Sequence, residues 1–357
     1  MHQLYVTAQS HKVMMRFFVF ILPDTPPEVS LNCTPPLDYQ IKNNEKVNKP
    51  TRNTPPATLL SHIMAHKAGF VNIVGNPNVG KSTLMNLLVG ERMSIITSKA
   101  QTTRHRITGI VNADDYQIVF GDTPGVLDPK YKLQKSMLDF SLEALIDADI
   151  LIYVTDVVES PTKNQSFLDK VAKEKIPVIL VINKIDLLKG QTDLLEIIDR
   201  WKSILPQAEV YPTSAKENFN VDNLMKRVIE LLPDSPPYFG KDALTDKPAR
   251  FFVTEIVREK ILLNYDKEVP YATQVIVEKF DEKDDSIHIM VVIYVERDSQ
   301  KGIIIGQGGK KLKRLGIDAR KDIETFFGKH VFLEMFVKVE HDWRNRENKL
   351  REFGYIE

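Results

Sequence analysis

The chain has 357 residues, of which 43% are hydrophobic and 27% are charged, and these values exclude a wholly disordered, fibrous or multi-span membrane protein. Its 48 basic and 48 acidic residues cancel, so any attraction to nucleic acid must be a local property of the surface. The single cysteine, Cys33, excludes an internal disulfide framework and a thiolate metal cluster and favours a reducing cytoplasm. The length suggests about two domains.

The first 65 residues form a proline-rich leader, because eight of the 20 prolines precede residue 60 and no glycine precedes Gly69. The leader offers little apolar surface to offset the entropy lost on ordering, so we predict that residues 1–65 are disordered. Its apolar run at 13–22 is interrupted by Arg16 and is too short to span a bilayer. Two interpretations remain open: a targeting role, or a dispensable leader with translation beginning at Met64.

Residues 66–232 alternate short apolar runs with amphipathic segments, which predicts strands joined by crossover helices. The runs that predict buried strands are Phe70–Val74, Ile118–Phe120, Ile150–Val154 and Val178–Ile182. The segments with helical spacing of apolar residues are Leu84–Leu88, Met137–Ile146 and Leu224–Leu232. Crossover connections join parallel strands. This part of the chain is therefore predicted to be a doubly wound α/β domain with a mostly parallel sheet.

The segment Gly75–Ser82, Gly-Asn-Pro-Asn-Val-Gly-Lys-Ser, has the spacing of a phosphate-binding loop between a predicted strand and a predicted helix. Its glycines let backbone N–H groups turn inward around an anion, and the N-terminus of the next helix adds a positive dipole. Lys81 would neutralise the β- and γ-phosphates, and the Ser82 hydroxyl would bind Mg²⁺. The alternative for this motif alone is a turn with an exposed lysine. The residues predicted to contact the nucleotide here are Asn78, Gly80, Lys81, Ser82 and Thr83.

Two further motifs follow predicted strands, where open α/β sheets place ligand contacts. In Asp122-Thr-Pro-Gly125, the carboxylate can reach the metal and the Gly125 N–H can meet a γ-phosphate. In Asn183-Lys-Ile-Asp186, the Asp186 carboxylate is an acceptor only, so it matches the adjacent donors of guanine better than adenine. An aspartate that caps a turn is the alternative for either motif alone. The predicted contacts near the base are Asn183, Lys184 and Asp186, together with Ser214, Ala215 and Lys216, which follow a short strand at Val210–Tyr211.

Together these motifs resemble those of the small-GTPase class, and Ala100–His105 resembles the switch segment of the bacterial Era family. In that family a switch threonine contacts Mg²⁺ when GTP is bound, and we predict Thr103 in this role, with Thr102 as the alternative. Without the resemblance, this segment would be a solvated polar loop, and we expect His105 to be a solvated histidine. The resemblance implies GTP or GDP and Mg²⁺ as ligands, with Lys81, Thr103 and Gly125 in catalysis and Ser82, Thr103 and Asp122 at the metal.

One position departs from the Ras pattern. Val126 stands where Ras-like enzymes carry a glutamine that orients the attacking water. Valine cannot hydrogen-bond water, so the resemblance implies a GTPase whose water is organised by other means. We predict slow intrinsic hydrolysis, on the order of 10⁻⁴ to 10⁻² s⁻¹, by comparison with unassisted GTPases.

A proline-rich linker, residues 233–249, precedes a second group of elements. Its segment Pro233-Asp-Ser-Pro-Pro237 cannot continue a helix and predicts a stiff spacer. Residues 250–340 are predicted to form a small α+β domain, and 341–357 a C-terminal tail. The predicted elements are a helix at 250–263, strands at Thr273–Phe280, Ile287–Val295 and Val331–Glu340, and a helix at Lys310–Phe327. Alternate residues of the last strand, Val331 to Val339, are apolar and are predicted to face one side.

A Gly-x-x-Gly segment, Gly306–Gly309, lies between the apolar residues 303–305 and the predicted helix. KH domains use this spacing to clamp about four nucleotides, because glycines let phosphates approach and a helix N-terminus favours an anion. Residues 301–330 also carry eight basic and three acidic side chains, a local charge of +5. A turn beside a solvated basic helix is the alternative. The residues predicted to contact RNA are Gly306, Gln307, Gly308, Gly309, Lys310, Lys311 and Lys313.

The order helix–strand–strand–helix–strand around this segment resembles the type II KH domain of the Era family. Further segments that resemble the family are Arg258–Leu262, Val295–Arg297, Gly316–Asp322 and Val337–Val339. The resemblance implies a cytoplasmic, monomeric GTP switch that binds the 3′ end of small-subunit ribosomal RNA, assists 30S assembly and makes peripheral contact with the inner face of the cell membrane. Two other classes remain: an ATP-using kinase or ATPase, which Asn183–Asp186 disfavours, and a noncatalytic RNA-binding scaffold with a structural nucleotide site.

Overall fold

The computed structural model describes residues 66–99, 101–160 and 163–356, so the predicted leader lies outside the described residues. The strands form two sheets, one of six strands and one of three. The strands of the larger sheet are β1 (Lys67–Gly75), β2 (Ile107–Asn112), β3 (Tyr116–Asp122), β4 (Ile150–Asp156), β5 (Val178–Asn183) and β6 (Glu209–Pro212). The helices that accompany this sheet are α1 (Lys81–Val89), α2 (Lys132–Ile146), α3 (Gln165–Val171), α4 (Gln191–Lys202) and α5 (Val221–Leu231).

The larger sheet has the strand order β2-β3-β1-β4-β5-β6, and every pair is parallel except β2 with β3. This confirms the predicted doubly wound, mostly parallel sheet. All residues of β4 and β5 are buried, as expected for central strands covered on both faces. Strand β2 was not predicted from the sequence, because it lies at the edge and only half of its residues are buried.

Residues 233–249, predicted to be a stiff linker, run along the edge of the larger sheet. Two hydrogen bonds join the linker to the outer edge of β2. The Ile110 N–H donates to the Leu244 carbonyl oxygen at 2.8 Å, and Thr245 Oγ1 donates to the Thr108 carbonyl oxygen at 2.6 Å. Further along, Gln117 Nε2 donates to a linker carbonyl at 2.9 Å. An uncovered edge strand exposes unpaired backbone groups. The linker covers part of this edge of the larger sheet.

The smaller sheet has the order β7-β8-β9, with β7 antiparallel and β9 parallel to the middle strand. Its strands are β7 (Gln274–Glu282), β8 (Ser286–Val295) and β9 (His330–Val339). The helices here are α6 (Ala249–Asn264), α7 (Asp298–Ile305), α8 (Lys310–Phe327) and α9 (Glu347–Glu352). Apolar residues of α6, α7 and α8 pack in one core with the sheet. Alternate residues of β9 are shielded, whereas Phe332 and Phe336 are exposed, which confirms the predicted faces.

Helix α7, which was not predicted, adds a second helix before the Gly-x-x-Gly segment. The order of elements is therefore helix–strand–strand–helix–helix–strand. The N-terminus of α7 is capped by Gln300, whose Oε1 accepts from the Glu296 N–H at 3.0 Å and the Arg297 N–H at 3.1 Å. The helix has only eight residues, two turns, and two of them are glycine and serine, which weaken helical propensity. Its stability therefore depends on the cap and on contacts with the core rather than on local sequence.

The C-terminal residues are not a free tail but pack against both α2 of the first domain and the second domain, which corrects the prediction for 341–357. Trp343 is fully buried, and its Nε1 donates to the Ala272 carbonyl oxygen at 2.9 Å. The residues that form this cluster are Leu133 and Met137 of α2 with Trp343, Leu350, Phe353 and Tyr355. Burial of each large apolar side chain contributes about 1.5–3 kcal/mol. Within the described ranges, no helix has the length and apolar character needed to cross a membrane.

Candidate nucleotide site and nucleic-acid interface

The phosphate-binding loop joins the end of β1 to the start of α1, and two glycines allow the close approach. Gly75 has φ +146°, and a Cβ there would lie 2.1 Å from the Val154 carbonyl oxygen. Gly80 has φ +100°, and a Cβ there would lie 2.2 Å from Asn183 Nδ2. Both positions require glycine for backbone conformation and space. The loop backbone therefore lies directly against the ends of β4 and β5.

Lys81 is buried at the first position of α1. Its Nζ donates to the Asn76 carbonyl oxygen at 2.9 Å. Burial lowers the pKa of Lys81 to about 8, while the charges of Asp122 and Glu159 oppose this shift. Glu159 in turn accepts from Thr155 Oγ1 at 2.7 Å and from the Asn76 side chain. A buried ammonium with one direct carbonyl partner gains strongly from an added anion, so this position suits a phosphate group.

Three oxygen-bearing side chains from separate segments meet beside Lys81. Ser82 Oγ donates to Asp122 Oδ2 at 2.6 Å, and Thr103 Oγ1 lies 2.9 Å from Ser82 Oγ and 3.3 Å from Asp122 Oδ2. Among the described residues, Asp122 Oδ1 is buried and has no hydrogen-bond partner, and burial raises the pKa of this carboxyl. A divalent cation would satisfy that oxygen and stabilise the carboxylate. Hard oxygen donors suit Mg²⁺, so the residues fit the predicted metal.

The two switch threonines have different partners, which separates the alternatives left open by the sequence. Thr103 is buried with its hydroxyl against the predicted metal ligands. Thr102 Oγ1 donates instead to the Lys99 carbonyl oxygen at 2.6 Å and lies 2.8 Å from Thr97 Oγ1. The structure therefore places the hydroxyl of Thr103, and not that of Thr102, beside Ser82 and Asp122, the other two predicted metal ligands.

The residues predicted near the base lie in the turns that follow β5 and β6. Asp186 Oδ1 accepts from Ser214 Oγ at 2.5 Å. Asn183 is buried and uses both side-chain atoms within the protein: Nδ2 donates to the Val79 carbonyl oxygen at 2.8 Å, and Oδ1 accepts from the Ala215 N–H at 2.9 Å. Asn183 thus braces the phosphate loop against the segment after β6.

The two lysines of these motifs differ in what they contact. Lys184 Nζ donates to the Asn78 carbonyl oxygen and to Asp156 Oδ2, both at 2.6 Å, and so joins the base end of the site to the phosphate loop. Lys216 is exposed and pairs with Glu217 at 3.0 Å. Asp156 was not predicted from the sequence, because it belongs to none of the predicted nucleotide-binding segments. Its place at the end of β4 was the available clue.

A cavity of about 390 Å³ extends along the phosphate loop and the switch segment. The predicted residues that line it are Asn78, Gly80, Lys81, Ser82, Thr83, Thr103, Gly125 and Lys184. Pro77, Gln101 and Thr102, from the phosphate loop and the switch segment, also line it. The lining residues outside the predicted motifs are Ile95, Ile96, Thr97 and Ser98. They line the cavity because the segment after α1 folds back over the loop. The other predicted base contacts, with the buried Asp122, lie outside these walls.

The switch histidine is packed rather than solvated, which corrects the expectation for His105. Its ring stacks on Tyr355 at 4.4 Å between centroids, and Phe140 and Phe251 each lie 6.1 Å away. Burial lowers the pKa of His105 to about 3, and nearby cationic side chains add to this shift. The contact joins the switch segment to the C-terminal residues, which are 250 positions away and could not be paired from the sequence.

The Gly-x-x-Gly segment forms a tight turn between α7 and α8. Gly306, Gly308 and Gly309 have φ of +69°, +58° and +75°. A Cβ at Gly308 or Gly309 would meet no atom within 4 Å, so this backbone is open to an approaching phosphate. Gln307 is exposed, as are Lys310, Lys311 and Lys313 at the start of α8. All the residues predicted to contact RNA therefore lie at one end of this helix.

A groove of about 390 Å³ continues from Gly309 between α8 and β9. Its cationic side chains are Lys313 and Arg320, and its apolar residues are Leu312, Ile317, Leu333 and Met335. Cationic groups can neutralise phosphates while apolar surfaces accommodate unstacked bases. The contribution of β9 was missed, because its apolar alternation in the sequence indicated only a core face.

Comparisons with known proteins agree with this pairing of sites. Residues 70–184 match the family described as a 50S ribosome-binding GTPase, and residues 268–344 match the KH domain family. The crystal structure of an Aquifex aeolicus Era variant bound to GDP.AlF4- is 39% identical, with a TM-score of 0.78, over 82% of this chain and all of its own. The chain belongs to the Era family. A structure of Era in complex with MgGDPNP and nucleotides 1506–1542 of 16S ribosomal RNA matches this Era-family chain with the same values.

In this Era-family protein, Val126 lies in the apolar core rather than in the nucleotide cavity. Its side chain is buried in a cluster that includes Leu145 and Tyr153, and its N–H donates to the Gly75 carbonyl oxygen at 3.1 Å. A buried valine cannot bind the attacking water. Membership of the Era family confirms the predicted GTPase and KH domains, and it disfavours the kinase alternative.

Proposed function

We propose that this Era-family GTPase is a nucleotide switch that binds the 3′ end of small-subunit ribosomal RNA and assists 30S assembly. One observation carries the proposal: the switch hydroxyl of Thr103 lies in contact with Ser82 and Asp122, in the same compact unit as the open Gly-x-x-Gly turn. A GTP-sensitive segment and an RNA groove are thus built into one body. Differential affinity of the nucleotides for two arrangements of the switch would change RNA binding.

For GTP hydrolysis, we assign the charge-stabilising roles to buried groups. Lys81 would neutralise the β- and γ-phosphates, and Mg²⁺ held by Ser82, Thr103 and Asp122 would supply further positive charge when bound. Asp186 would recognise guanine through its free acceptor capacity. Because Val126 is buried in the core, the site supplies no glutamine-like group there. The expected intrinsic rate is on the order of 10⁻⁴ to 10⁻² s⁻¹.

For RNA, the groove between α8 and β9 supports the proposal through its chemistry, and the Era complex supports the choice of RNA. The two comparisons name different ribosomal subunits. The description of the matched GTPase family names the 50S subunit, whereas the Era complex contains 16S ribosomal RNA, which belongs to the small subunit. We follow the Era complex, because it matches 82% of the chain and includes both domains, while the family model covers only 70–184.

The test is binding of an RNA fragment that corresponds to nucleotides 1506–1542, with a nonhydrolysable GTP analogue, with GDP and without nucleotide. Gly308→Asp should weaken RNA binding by about tenfold or more, because a carboxylate would face the phosphates and phosphate contacts supply much of the affinity. Gly328→Asp is the matched control, since Gly328 also has positive φ and open space but ends α8 at the other side. Equal affinity of wild type and Gly308→Asp would contradict the RNA assignment.

The second candidate is a noncatalytic RNA-binding scaffold. Lys81→Ala separates the two, because loss of GTP turnover without loss of ribosome maturation would favour the scaffold. We further propose a cytoplasmic monomer with peripheral membrane contact. Light scattering of the purified chain tests the monomer. Fractionation of cells and flotation with anionic vesicles test the location and the membrane contact.

A further inference from the structure

The segment Arg258–Leu262 on α6 has no role in the function proposed above, yet its three charged residues contact three different elements. The guanidinium of Arg258 donates to the Thr102 carbonyl oxygen in the switch segment. Glu259 accepts from Arg92 at 2.5 and 2.6 Å, after the end of α1. Lys260 donates to Asp322 on α8. This short segment therefore joins the switch, the first domain and the RNA-facing helix.

Arg258 is held in one geometry. Its side chain is buried, with Nε donating to Glu255 Oε1 at 2.8 Å and a second nitrogen 3.2 Å from Glu255 Oε2. The ion pair offsets the cost of burying the charge, although such pairs are poor evidence for stability by themselves. Nη2, the nitrogen that approaches Glu255 Oε2, also donates to the Thr102 carbonyl oxygen, whereas Nη1 is buried without a hydrogen-bond partner among the described residues. A lysine could not make both contacts with the same geometry.

Arg104, the residue after Thr103, also contacts the second domain. Its side chain is fully buried and donates to carbonyl oxygens of the second domain, to Thr273 at 2.7 Å and to Pro270 and Tyr271 at 3.1 Å. The residue before Thr103 and the residue after it are thus both bound to the KH side of the molecule. The Thr103 hydroxyl contacts Ser82 and Asp122 in the GTPase domain, while the residues on either side of it are held by contacts outside that domain.

We propose that Arg258 is a positioning residue for GTP and Mg²⁺ binding, so that the KH domain completes the switch side of the nucleotide site. The proposal deepens the proposed function and rests on it. Arg258 acts through Thr103 and does not touch the nucleotide. GDP lacks the γ-phosphate whose Mg²⁺ the switch threonine contacts in the family, so loss of Arg258 affects the GTP state and spares the GDP state.

The test compares the full-length wild type with Arg258→Met and Arg258→Lys. Arg258→Met should weaken binding of a nonhydrolysable GTP analogue about tenfold, or about 1.4 kcal/mol, and raise the Mg²⁺ concentration for half-maximal binding, because a positioned hydrogen bond from a charged group is lost. GDP affinity should stay within about twofold. Arg258→Lys should restore part of the difference. Arg92→Met is the matched control, because it removes an interdomain ion pair without touching the switch.

Equal losses for GTP analogue and GDP, or no loss, would overturn the proposal. If Arg258→Met does not fold, Arg104→Lys tests the contact on the other side of Thr103. This variant must show the same selective loss of GTP-analogue and Mg²⁺ affinity. An Arg104→Lys protein that binds both nucleotides like the wild type would also overturn the proposal. A wild type that binds neither nucleotide would instead contradict the proposed function, so the two failures are distinguishable.

Discussion

Asn183 offers a sharp test of the site, because its side chain is used as a brace within the protein. Its amide joins the Val79 carbonyl oxygen and the Ala215 N–H at 2.8 and 2.9 Å, and the residue is 2% exposed. Asn183→Ala leaves both backbone groups buried without this partner. At about 1–3 kcal/mol for each unsatisfied group, and with some recovery by entering water, we expect the free energy of unfolding to fall by about 2–4 kcal/mol.

The assay is urea unfolding of nucleotide-free protein, followed by tryptophan fluorescence. Asn223→Ala is the control, because Asn223 is exposed and its side chain donates to Asn220 Oδ1 at 2.9 Å on the protein surface. Such surface changes stay within about 0.5 kcal/mol. GTP affinity of Asn183→Ala should also fall, since the phosphate loop loses its support. If the unfolding midpoint is unchanged while only guanine binding is lost, Asn183 contacts the base directly and the bracing argument fails.

Three further predictions concern other parts of the site. Asp186→Asn should shift the preference from guanine to xanthine nucleotides in competition binding, and an unchanged preference would mean that Asp186 does not contact the base. Gly125→Ala should weaken GTP-analogue binding about tenfold by calorimetry, because the added Cβ would lie 2.7 Å from Pro77 atoms and the loops must separate. The pKa of His105 is lowered to about 3, so stability is present above pH 6.5 and is lost as the pH falls toward 3. His105→Phe, which keeps an aromatic ring against Tyr355, should abolish about 2 kcal/mol of the loss measured by urea unfolding between pH 7.5 and pH 5, and an equal loss in both proteins would refute this.

The contiguous motifs could be predicted from the sequence because their chemistry depends on spacing within one turn. The phosphate loop lies between a strand and a helix as expected, and α8 begins at Lys310 and ends at Phe327, as predicted. The choice between Thr102 and Thr103 could not be made, because neighbouring threonines are equivalent until the backbone direction is known. The edge strand β2 and the capped helix α7 lack strong local patterns, since their partners lie elsewhere in the chain.

The contacts between the two domains could not be predicted from the sequence, for a different reason. Arg104 and Thr273 are 169 positions apart, and arginine in a polar loop is usually solvated. The sequence around Arg104 does not indicate that three carbonyl oxygens of another domain accept hydrogen bonds from its guanidinium. The same holds for the C-terminal residues, whose aromatic side chains pack against both α2 and the smaller sheet.

These contacts have a thermodynamic consequence for the switch. The segment around Thr103 is held by α6 through Arg258, by the turn before β7 through Arg104 and by the C-terminal Tyr355 through His105. An RNA that favours this arrangement must therefore also favour the GTP-binding position of Thr103. Because coupling between two sites is reciprocal, the factor by which the RNA fragment tightens the GTP analogue must equal the factor by which the analogue tightens the RNA. If the RNA fragment leaves the affinity for the GTP analogue unchanged at one salt concentration, a factor of one, then RNA and GTP do not act on one shared equilibrium.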